Sequence, residues 1–163
     1  MAYITANIGS VSHGTMRTED LLEAYANELE YLMKREDKRV KANNQQAALI
    51  GNVLAEVNSR HVEYAKFIAE ARDIDPDSDE ASELVNELAD ALREYTPAYC
   101  YFGAHEGDGA DYGFWPSWGE IDELPTVEDS DEAKALGEDC KSVNDHGNVT
   151  VYGGDGSVLW DCV

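Results

Sequence analysis

Between Asp73 and Glu94 the sequence DIDPDSDEASELVNELADALRE carries two patterns that only a helix satisfies together. Its apolar residues Ala81, Leu84, Val85, Leu88 and Leu92, with Tyr95 just beyond, recur at helical spacing, which gathers them on one face. Glu83, Glu87, Asp90 and Glu94 keep the same spacing on the other side, so the fold that buries the first set lines up the second as a row of negative charge. The stretch holds nine carboxylates and one base, Arg93. Like-charged neighbours on a helix cost roughly 0.2 to 0.5 kcal/mol per pair, so a row without interleaved Lys or Arg is a cost that stability alone does not explain.

The charge is unevenly spread. Up to Arg72 there are ten acids and nine bases; from Asp73 onward there are 24 acids and three bases, within a net charge of -22 over 163 residues. Phosphates would be repelled by the later part, which argues against direct binding to nucleic acid or an anionic membrane and for a basic protein surface as partner. General solubility or salt adaptation also makes proteins acidic, but salt adaptation would not leave the first half near neutral. The length suits one domain or two small ones. No apolar run approaches the roughly 20 residues that span a bilayer, and the N-terminus lacks a signal-peptide pattern, so a cytoplasmic location is expected. Cys100, Cys140 and Cys162 are odd in number and far apart, which favours reduced thiols over a disulfide framework.

Residues 2–17 are small and β-tolerant, an extended arm or short strand. Thr18, followed by Glu19 and Asp20, predicts an N-cap, and Leu22, Tyr25, Leu29 and Leu32 carry a helix to about Arg35. The segment KREDKRVKANN, Lys34 to Asn44, predicts a turn, and Ile50, Val53, Val57, His61, Tyr64, Ile68 and Ala71 mark one face of a second helix from about Gln45 to Arg72. His61 falls on that apolar seam as a packed, hydrogen-bonded residue. Asp77 and Glu80 resemble a capping box for the third helix, which Thr96 and Pro97 end. After Pro97, residues 99–102, 112–115, 141–144, 149–152 and 158–162 predict short strands. Turns at Asp145–Asn148 and Gly153–Gly156 join the last three into an antiparallel meander. Between Trp118 and Asp139 an acidic connection predicts loop with a short helix near Asp131 to Leu136. The expected class is α+β: a helical bundle or hairpin with an N-terminal arm over 1–96, and a small antiparallel β domain with acidic loops over 97–163.

No residue set points to a catalytic reaction: there is no GxSxG elbow, no phosphate-binding glycine loop and no GxGxxG after a strand. Asp73, Asp75, Asp77 and Asp79 alternate like a calcium loop, but Ser78 and Leu84 stand where that loop needs Gly and Glu. Cys100 with His105 and Cys140 with His146 fit no common zinc spacing, and no cofactor is expected. In the glycine-rich stretch 103–124, Phe114, Trp115 and Trp118 are either core of a small sheet or anchors for a partner, with the first two read as core. Glu106, Asp108 and Asp111 rim its loop with negative charge.

NIGSVSHGTMRTEDLLEAYANEL, YFGAHEGDGADYGFWPSW and VNDHGNVTVY resemble segments of uncharacterised proteins of tailed bacteriophages, over about a third of the chain. The resemblance implies a phage accessory protein in a bacterial cytosol. Among small acidic phage proteins, one class imitates the charge of DNA and blocks host defence complexes of the CRISPR or restriction type. The expected contacts are Asp73, Asp75, Asp77, Asp79, Glu83, Glu87, Asp90 and Glu94, then Glu106, Asp108 and Asp111. The alternative is an adaptor or structural phage protein that binds through the aromatic, glycine-rich β region.

Overall fold

The computed structural model describes residues 4–43 and 50–162. Its elements follow the chain as β1 (Gly9–His13), α1 (Thr18–Asn43), α2 (Ile50–Ala71), α3 (Asp79–Arg93), β2 (Cys100–His105), β3 (Asp108–Pro116), α4 (Trp118–Asp122), α5 (Ser130–Leu136), β4 (Cys140–Val143), β5 (Val149–Tyr152) and β6 (Val158–Cys162). The class is α+β, with helices followed by small antiparallel sheets. The chain divides into two compact units, Met1–Thr96 with Phe102–Trp115, and Pro97–Tyr101 with Pro116–Val163. The expected break after Thr96 falls at the first of these crossings, and Phe102–Trp115 then rejoins the helical unit.

In the helical unit, α1, α2 and α3 share one apolar core. Leu22, Tyr25, Leu29 and Leu32 of α1 meet Tyr64 and Ile68 of α2 and Leu84, Leu88 and Leu92 of α3, and Leu29, Leu32, Leu88 and Leu92 are fully buried. A buried aliphatic side chain is worth about 1.5 to 3 kcal/mol, so this seam is the main source of the unit's stability. The sheet β1-β3-β2 lies against the same core: Phe102 packs on Tyr25 at 5.1 Å and on Phe114 at 4.9 Å between ring centroids. Gly9 of the arm pairs with Phe114 and Ser10 with Gly113. A Cβ on Gly113 would stand 2.2 Å from the Gly9 carbonyl oxygen, so only glycine fits there.

Three boundaries differ from the sequence expectation. The turn predicted over Lys34–Asn44 is absent as far as Asn43, because α1 continues through it. With neither Gly nor Pro to stop it, and with Glu36 and Val40 buried on its inner face, the helix keeps its packing there. Residues 45–49, expected in the second helix, lie outside the described residues. Thr18 is the first residue of α1 and not its cap. The preceding Thr15 hydroxyl instead donates to Asp20 at 2.6 Å and accepts from the Arg17 N–H. The cap of α3 is Ser78 and not Asp77: Ser78 Oγ accepts from the Ala81 N–H at 3.2 Å, while the Asp77 N–H donates to Asp75 Oδ1.

In the second unit β4, β5 and β6 form an antiparallel meander in sequence order. Gly147 and Gly156 take the left-handed φ angles of 82° and 80° that its two turns require. The chain thus forms two three-stranded sheets where one was expected. The acidic connection also orders more than its one expected helix. α5 is capped by Asp129, whose carboxylate accepts from the Asp131 and Glu132 N–H groups, and α4 forms ahead of it. Among the described residues no helix is long and apolar enough to cross a membrane.

Candidate partner-binding face

α3 is amphipathic in the strict sense. Ala81, Leu84, Leu88, Ala89, Ala91 and Leu92 are buried, whereas Glu83, Glu87, Asp90 and Glu94 are exposed. The leading loop adds Asp73, Asp75, Asp77 and Asp79, all exposed too. That loop is held in shape by its own hydrogen bonds: Ser78 Oγ and the Ser78 N–H both donate to the Asp75 carbonyl, at 2.7 and 3.1 Å. The carboxylates of the loop and of the first helical turns therefore project from a defined backbone.

What decides the electrostatics is where the cations go. Arg72, next in sequence to the acidic loop, donates to Glu30 at 2.7 Å; Lys34 donates to the same carboxylate, and Arg17 to Glu19. Arg60 donates to both oxygens of Glu36. These cations neutralise acids of α1. On the acidic face the described residues supply one ion pair, Arg93 with Asp90 of the same helix. Asp73, Asp75, Asp77, Asp79, Glu83 and Glu87 have no cationic partner among the described residues. The expected row is present, with six of its eight members uncompensated by any cation among the described residues.

The loop acids behave differently. Glu106 and Asp108 are exposed, with Asp108 Oδ1 accepting the Ala110 N–H at 3.0 Å. Asp111 is engaged by β1: it accepts from Ser10 Oγ at 2.6 Å and faces His13 Nδ1 at 3.2 Å. The Ser10 hydrogen bond and then His13 hold its carboxyl below the usual range. Its charge is shared with the β1–β3 pairing.

The aromatic stretch turns mostly inward. Phe114 is 1% exposed, and Trp115 donates its Nε1–H to the Gly103 carbonyl while its ring meets His105 edge-on at 4.7 Å. Only Trp118 of the three is largely exposed. His105 Nδ1 accepts the Gly107 N–H, His146 is exposed at a turn and Cys140 is fully buried. Among the described residues no cluster of three His, Cys, Asp or Glu side chains is placed to hold a metal ion. Burial, then the neighbouring Cys162, pushes the Cys100 thiol up to about 12, which leaves it unreactive.

Sequence reasoning missed a polar cluster within the helical core. Glu36, fully buried, takes a two-pronged bond from Arg60 at 2.7 Å, His61 Nε2 at 2.9 Å and the Tyr95 hydroxyl at 3.0 Å. His61 Nδ1 lies 3.2 Å from Asp37, and the Arg60 guanidinium sits over the Tyr95 ring. Burial opposes the charge of Arg60, but the Glu36 bonds outweigh it and raise its pKa. The signal was legible: Glu36 stands four residues after Leu32 on the apolar seam, and His61 was noted on the facing seam. A turn expected at that place hid it. Compared with known proteins, the chain matches no family model, no curated protein and no solved structure.

Proposed function

We propose that the protein is an inhibitor that imitates the charge of nucleic acid and occupies a basic nucleic-acid-binding groove of another protein. The observation that carries this reading is the set of six exposed carboxylates along α3 and its leading loop that have no cationic partner among the described residues, while Arg17, Lys34, Arg60 and Arg72 pair with acids of α1. Selection for stability alone would place Lys or Arg between them. In the setting implied by the phage resemblance, the groove belongs to a bacterial defence complex such as a CRISPR effector or a restriction enzyme.

Magnitudes narrow the kind of groove. With a rise of 1.5 Å per residue, Asp79, Glu83 and Glu87 place about one charge per 6 Å along the helix. One DNA strand carries a charge per roughly 3.4 Å of axis and the duplex one per roughly 1.7 Å. The row is closer to a single strand than to a duplex, so a channel for one strand is the better fit. The adaptor reading is weaker, since Phe114 and Trp115 are spent on the protein's own sheet.

The test is a pull-down from bacterial lysate at low and at high salt, with wild-type protein and with a variant in which Glu83, Glu87, Asp90 and Glu94 are changed to Lys. The wild type should retain a basic nucleic-acid-binding protein at low salt, release it at high salt or on addition of single-stranded DNA, and lose it in the reversed variant. Retention of nothing basic at low salt, or undiminished retention by a correctly folded reversed variant, would end the proposal.

A further inference from the structure

Beside the acidic loop the helical unit carries a cleft of about 370 Å³. Its apolar surface comes from Leu22 and Ala26 of α1, Ala71 at the end of α2, and Ile74 and Pro76 of the following loop. Leu22 and Ala26 are almost fully buried, so the cleft has a firm floor. Glu19, Glu23, Asn27 and Arg72 form its polar border. Past Pro76 it runs into a second depression of about 350 Å³ that includes Met16 and Asp77 and shares Glu19 and Pro76 with the first.

The border is negative once its internal pairs are subtracted. Arg72 is held by Glu30 and Arg17 by Glu19, which leaves Glu23 with no cationic partner among the described residues. The wall built by Ile74 and Pro76 alternates with Asp73, Asp75 and Asp77, all exposed. A mixed cleft, with Ala71, Ile74 and Pro76 on its walls and the unpaired Glu23 carboxylate at its rim, matches a side chain that has an apolar stem and a cationic head.

We infer that this cleft receives an arginine or lysine side chain from the basic partner, with the stem against Ala71, Ile74 and Pro76 and the head at Glu23. The inference rests on the charge-mimic reading and deepens it: the α3 row supplies long-range attraction, and the cleft supplies a fixed anchoring point. Attraction by the row alone discriminates little between one cation and another. The cleft adds selectivity for a long alkyl stem.

The experiment titrates isotopically labelled protein with n-butylguanidinium and, separately, methylguanidinium, following amide shifts by NMR. Saturable shifts confined to residues 19–27 and 71–77, tighter for the butyl compound, are the expected result. Glu23→Gln should weaken that binding roughly two- to five-fold, the range for a solvent-exposed charge pair, whereas Glu138→Gln in the other unit should not change it. Equal affinity for the two compounds, or shifts spread along α3 with none in the cleft, overturns the inference. Failure of the two readings is separable. Absent cleft shifts with salt-sensitive capture of a basic protein would remove the anchor and leave charge mimicry, while cleft shifts with nothing basic captured would leave the anchor and remove mimicry.

Discussion

Glu36 is the residue on which the helical core turns. A fully buried carboxylate is tolerated because Arg60, His61 and Tyr95 supply donors from two other segments. Removing one partner leaves the other charge uncompensated, so Glu36→Leu and Arg60→Met should each cost about 3 to 5 kcal/mol, as for broken buried ion pairs. The combined change to Leu and Met should cost much less than the two single effects added, and chemical denaturation in a double-mutant cycle measures the difference. The same surroundings act on Tyr95: burial, then Glu36, drives its phenol well above the ordinary tyrosine range, and burial pushes Tyr64 up to about 12. Both are raised on folding, so their contribution to stability is intact below the ordinary tyrosine pKa of about 10 and fades as pH climbs through the folded values. Absorbance titration should find Tyr64 and Tyr95 silent at a pH where denatured tyrosine is half ionised, with their ionisation arriving together with alkaline unfolding.

Among the elements, α3 shows how much a helix spends on its outer face. Its start depends on Ser78, and Ser78→Ala should cost about 1 kcal/mol, the usual loss of a helix cap, read as a lower thermal midpoint. Glu87 has Glu83 four residues before it and Asp90 three after. Changing Glu87 to Lys turns two repulsions into attractions and should raise stability by about 0.5 to 1 kcal/mol while weakening capture of a basic partner. If binding survives as stability rises, the row has no function in recognition. The length of α1 illustrates the opposite lesson. Lys34 to Asn44 is polar enough to read as a turn, yet α1 keeps Glu36 and Val40 inside and stays helical through Asn43.

For the molecule as a whole, Arg17, Lys34, Arg60 and Arg72 pair with acids of α1, while the 24 acids from Asp73 onward are accompanied by three bases. The later part therefore remains strongly negative and repels itself. Adding salt up to about 0.15 M, where the screening length is roughly 8 Å, should raise the melting temperature, in contrast to a protein held by surface ion pairs. The same salt should weaken partner binding steeply. Calorimetry and the pull-down thus move in opposite directions with ionic strength, and a melting temperature that falls with salt would show that the surface carboxylates are paired after all.

Periodicity alone was enough to place the buried and exposed faces of α3 and the meander β4-β5-β6, because alternation along a short segment reports which side meets the core. It also exposed the acidic row, since charge is a property of residue type. Pairing was not legible in the same way. That Arg72 turns to Glu30 and away from the acidic loop, that Asp111 is taken by Ser10 and His13, and that Glu36 is enclosed by Arg60 and Tyr95 all depend on contacts between residues far apart in the chain. Ion pairs and hydrogen bonds form only when the groups come within a few ångströms, and only the folded backbone decides which charges come that close.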